Sequence, residues 1–86
     1  MLSTDDFREE ALAQIGRAAK QGRPHAEINA GELHRTLGGY PGTDHRMPMA
    51  CEALRALKTS RDETVFEPPS GNGAALTIRY ALPRFT

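Results

Sequence analysis

The chain has no tryptophan, a single cysteine and no excess of charge of either sign. Lys and Arg together number 11, as do Asp and Glu, so the formal net charge is zero. That balance excludes a strongly basic, non-specific nucleic-acid coat and an acidic solvating tail. Cys51 alone cannot close an internal disulfide, which excludes a stapled secreted scaffold. No apolar run approaches the roughly 20 residues that span a bilayer. Asp5, Asp6, Glu9 and Glu10 are the wrong chemistry for a signal or transit peptide. His25, His34, His45 and Cys51 match no zinc spacing, so neither a metal nor a cofactor is expected. Ser70-Gly71-Asn72-Gly73 lacks the lysine and strand-to-helix setting of a phosphate-binding loop. Nothing in the sequence orients a Cys51–His pair or sets two carboxylates for acid/base work, so the chain is not expected to be an enzyme. What remains is one small soluble domain over residues 1–86, expected in the cytoplasm, burying roughly 60–65% of its unfolded surface.

Residues 3–21 read as a helix capped by Ser3 or Thr4, with acidic residues at the positive end of the helix dipole. Phe7, Ala11, Ile15 and Ala18 recur at helical spacing, and Leu12 and Ala19 widen the stripe. Gly22 and Pro24 end it. His25 to Ile28 is a short extended piece. Asn29 and Glu32 have capping-box spacing, which predicts a second helix from about Ala30 to Leu37, closed by Gly38-Gly39. Leu33 and Leu37 are expected to face the core with Ile28.

Tyr40 to Thr43 is a turn by composition, with Tyr40 placed to plug the core edge or offer a stacking surface. A third helix is predicted from Arg46–Pro48 to about Lys58, with Met47, Ala50, Leu54 and Leu57 buried and Cys51 beside them. Two strands close the chain, at Thr64–Glu67 and Ala75–Leu82. In the second, Leu76, Ile78, Tyr80 and Leu82 point one way and Ala75, Thr77 and Arg79 the other. The stretch Pro68 to Gly73, with its Asn-Gly pair, makes a long hairpin loop between them.

The fold class is therefore α+β, in the order helix, strand, helix, helix, strand, strand. Over nearly the whole chain this order resembles the winged helix-turn-helix superfamily. That resemblance implies a two- or three-stranded antiparallel sheet, a recognition helix at residues 46–58 and a wing at residues 67–74. It implies double-stranded DNA as partner and transcription regulation as a role. Gly38-Gly39-Tyr40-Pro41-Gly42 followed by His45-Arg46-Met47-Pro48 also resembles small bacterial proteins of unassigned function.

Given that layout, His45 and Arg46 stand at the end of the recognition helix that meets bases, and arginine suits guanine. Arg55 and Lys58 suit phosphates, or equally the C-terminal helix dipole, with Glu52 spaced for an ordinary ion pair with Arg55. Asn72 at the wing tip and Arg79 on the last strand are the remaining candidate contacts, with Arg84 in the tail beyond. Residues 29–58 hold four basic and three acidic groups, with His34 and His45 as charge in reserve. Slightly basic is less than strong DNA binders show, which implies weak non-specific binding. The alternative reading is a protein–protein module or homodimer, associating through the amphipathic first helix and the tail Leu82 to Thr86, where Phe85 has no assigned core role.

Overall fold

The computed structural model describes residues 3–38, 46–69, 71 and 73–82. Ser3 opens the first helix, α1 (Thr4–Lys20), through a reciprocal cap. The Ser3 hydroxyl accepts from the Asp6 N–H at 3.3 Å, and the Asp6 carboxylate accepts from the Ser3 N–H at 2.9 Å. Phe7, Ala11, Ile15 and Ala18 form its buried face. Leu12 and Ala19 do not widen that face as the sequence suggested. Both are exposed, because the stripe that meets the core is one residue wide per turn.

The short strand β1 (His25–Asn29) runs directly into α2 (Ala30–Leu37), and Asn29 makes the change of period possible. Its side-chain oxygen accepts from the Glu32 N–H at 3.0 Å, while its amide donates to Thr77 Oγ1 at 3.0 Å. The return half of the expected capping box is replaced, since the Glu32 carboxylate pairs with Arg35 instead. Gly38 ends α2 with φ of 93°, a conformation that favours glycine. The expectations for Gly39, Tyr40, the rest of the turn and the chain end from Pro83 to Thr86 fall outside the described residues.

The third helix, α3 (Met47–Leu57), carries Pro48 in its first turn, where a missing N–H costs nothing. Its buried face is Met47, Ala50, Cys51, Ala53 and Leu54, with Leu57 partly covered. The strands β2 (Glu63–Phe66) and β3 (Thr77–Ala81) begin and end within two residues of the expected bounds. All three strands form one antiparallel sheet in the order β1-β3-β2. The chain is thus α+β, with three helices and a three-stranded antiparallel sheet.

One sheet face covers the core and the other meets water, as antiparallel sheets allow. Leu76, Ile78, Tyr80 and Leu82 are buried as the alternation predicts. Tyr80 is fully enclosed, and its hydroxyl donates to the Leu54 carbonyl of α3 at 2.6 Å. That bond joins the central strand to the helix across the core. A second tie is polar: Asp62 accepts from Thr59 N–H at 2.7 Å and from Ala81 N–H at 2.7 Å. It fastens the segment after α3 to β3.

Tyr80→Phe removes the hydroxyl and leaves the buried Leu54 carbonyl short of a donor. The expected cost is about 1–3 kcal/mol, read as a lower urea midpoint with an unchanged denaturant slope.

Candidate nucleic-acid interface

The outward side of α3 is an arc of Pro48, Met49, Glu52, Arg55 and Ala56. Pro48, Glu52, Arg55 and Ala56 line a shallow groove along it. The helix begins at Arg46, its N-cap, and has no carboxylate in its first turn. The Thr4 hydroxyl of α1 donates to Glu52 at 3.0 Å and tethers the middle of the arc.

Beside this helix lies the loop of residues 67–76, and five bonds draw its described residues inward. Arg55 donates to the Gly71 carbonyl and pairs with Glu67 at 2.6 Å. The Cys51 thiol donates to the Gly73 carbonyl at 3.5 Å. From α2, Gly31 N–H donates to Ala74 O at 2.9 Å and Ala30 N–H to Leu76 O at 2.8 Å. Gly31 allows this approach because a Cβ there would meet both the Ala74 Cβ and its carbonyl oxygen at 3.1 Å. Two first-turn donors of α2, Ala30 and Gly31, are thus satisfied by loop carbonyls, and the next, Glu32, by the Asn29 side chain.

The site residues expected from sequence divide accordingly. Arg46 is half-buried at the start of α3, and Lys58 is exposed at its C-cap. Arg55 pairs with Glu67, not with the Glu52 that helical spacing offered. Arg79 does stand on the outer face of β3, but between two carboxylates. It bonds Glu27 of β1 and Glu63 of β2, each at 3.2 Å. His45 and Asn72 lie outside the described residues, as does Arg84. His34 is not a reserve of surface charge, because it is fully buried. Its Nε2 accepts from the Arg46 N–H at 2.7 Å, and its Nδ1 lies 3.1 Å from the Gly38 carbonyl oxygen.

Sequence spacing could not find the Arg55–Glu67 and Arg79–Glu27–Glu63 pairs, since their partners are 12 to 52 residues away. The alternation of β3 does place Arg79 outward, and cross-strand carboxylates at Glu27 and Glu63 become visible once register is known. No His, Cys, Asp and Glu cluster among the described residues could hold a metal ion. No helix among them is long and apolar enough to cross a membrane.

Burial pushes the Cys51 thiol above its ordinary value of 9.0, while the Arg55 guanidinium draws it down and Glu67 pushes it up. A raised folded-state value means that the unfolded chain loses the thiol proton first. The associated stability is therefore present below pH 9 and is lost as pH rises beyond it. Urea midpoints from about pH 8 to about pH 10 should fall more steeply for the native chain than for Cys51→Ala. Arg55→Met should act locally. The accessible Glu67 pair is worth under about 1 kcal/mol, so global stability should change little. Hydrogen exchange should speed at Gly71, whose N–H donates to Pro68 O.

No protein family, no curated protein and no solved structure matches this chain.

Proposed function

We propose that the chain is a non-enzymatic winged-helix domain that binds duplex DNA, with α3 as the recognition helix and residues 67–74 as the wing. One observation carries the reading. The helix α3 starts at the half-buried Arg46 without a first-turn carboxylate, its outward arc follows from Pro48, and the loop is fastened along that same helix. The order of elements and the β1-β3-β2 sheet support it. Arg46 and the neighbouring His45 would face base edges, and Lys58 would meet phosphate. Asn72 would lie at the wing tip. Arg55 and Arg79 take other roles: Arg55 holds the wing to the helix, and Arg79 links three strands through Glu27 and Glu63. Zero net charge makes non-specific binding weak, so affinity has to come from specific contacts or from a dimer.

A second reading, association with protein, is favoured by a different observation. Val65 and Phe66 are adjacent and exposed on the edge strand β2, at 43% and 49%. Neither contributes to the buried core. Large exposed apolar neighbours of this kind suit a protein interface.

The test is enrichment of a random duplex library at two salt concentrations. A recovered motif whose affinity falls with salt supports the DNA reading. Arg46→Ala should then relax the motif at a cost of about 1–3 kcal/mol. Lys58→Ala should weaken all duplexes alike and lower the salt slope by about one. Arg79→Ala should leave affinity nearly unchanged. No enrichment at low salt removes the DNA reading. Concentration-dependent association lost in Phe66→Ser would then support the protein interface.

A further inference from the structure

His34 is enclosed on α2, with its ring tilted against Phe7 of α1 at a centroid distance of 5.0 Å. Its two nitrogens face backbone groups of opposite character. The Gly38 carbonyl oxygen can only accept, so Nδ1 carries the hydrogen. The Arg46 N–H can only donate, so Nε2 carries the lone pair. The two partners together select one neutral tautomer.

Those partners are the caps of consecutive helices. Gly38 is the C-cap of α2 and Arg46 the N-cap of α3. Arg46 has no side-chain cap bond. Its carbonyl accepts from Met49 N–H at 3.0 Å and Ala50 N–H at 3.1 Å, the first hydrogen bonds of α3. One residue thus begins the helical ladder through its carbonyl and is held by His34 through its N–H. A rigid ring, packed against α1 and anchored on α2, thereby fixes where α3 starts.

We propose that His34 is a positioning residue for α3: its Nδ1-protonated imidazole spans the two helix caps and sets the placement of the Arg46 end of the helix. The binding consequence rests on the duplex-DNA reading above, whereas the positioning itself does not. Removing the ring nitrogens should loosen the first turn of α3 while the rest of the core stays closed.

The experiment uses the full chain labelled with nitrogen-15. Long-range nitrogen–proton spectra should show His34 protonated at Nδ1 and bare at Nε2, with a coupling across the bond from Arg46 N–H. His34→Phe keeps a ring against Phe7 and removes both polar contacts. Arg46 N–H should then exchange about tenfold faster relative to the amides of Leu54 and Ile78, the protection of one hydrogen bond. His34→Gln, which can present an acceptor to Arg46, should recover part of that protection. In duplex binding, His34→Phe should lower affinity for the enriched motif about tenfold and leave affinity for unrelated duplex unchanged.

An Nε2-protonated ring in the native chain overturns the proposal. So does Arg46 exchange that changes only in step with Leu54 and Ile78. So does unchanged motif affinity in His34→Phe when the native chain binds. A native chain that binds no duplex overturns the DNA reading alone, because the tautomer and exchange measurements still decide the role of His34.

Discussion

The structure depends on β3 being the middle strand. Its period of two divides the molecule: Ile78 and Tyr80, with Leu76 and Leu82 beyond the strand ends, lie under the helices, while Thr77, Arg79 and Ala81 turn outward. Both other strands pair with it, so their register follows from its own. The Tyr80 hydroxyl then fixes the distance between sheet and α3 by reaching the Leu54 carbonyl across the core. A shift of one residue in β3 would turn Arg79 inward and Tyr80 outward, reversing both faces at once.

From that strand the polar features follow in layers. Outside, Arg79 is met by one carboxylate from each neighbouring strand, so its guanidinium is paired within the molecule. At the strand's leading end, the loop carbonyls are taken up by α2, by Cys51 and by Arg55. Two of the arginines that looked available for phosphate are thereby committed to internal geometry. Under the duplex-DNA proposal, binding would rest on placement more than on general attraction. A neutral protein gains little from long-range steering, and a helix and a loop held in fixed relation are what it would bring instead.

Much of this was legible in the sequence wherever the cause is local. Ser3 and Asn29 as caps, Gly38 as a stop and Pro48 in a first turn each act over a few residues, and each is found in its expected place. The α1 stripe and the β3 alternation likewise carry their own period. What was not legible depends on distant partners. Nothing near Asp62 in the chain points to its bond with the Ala81 N–H of β3, 19 residues on. His34 reads as a surface charge because a polar ring becomes core only when two helix caps meet it on either side. The same holds for Arg55, whose nearest carboxylate in helical spacing is Glu52 but whose partner in space is Glu67. In the candidate interface, Arg46 and Lys58 fall at the helix ends that sequence assigned them, whereas the roles of Arg55 and Arg79 needed the fold.

The irregular pairing of β2 has a consequence for how this molecule coexists with copies of itself. Between Thr64 and Phe66 the register against β3 slips, so Phe66 stands opposite Thr77 on the watery face. A bulge at this point increases the local twist of a strand only four residues long. This edge of the sheet is therefore short and irregular, although Val65 and Phe66 are apolar and exposed. A short strand with a register slip is a poorer template for strand-to-strand pairing than a long flat one.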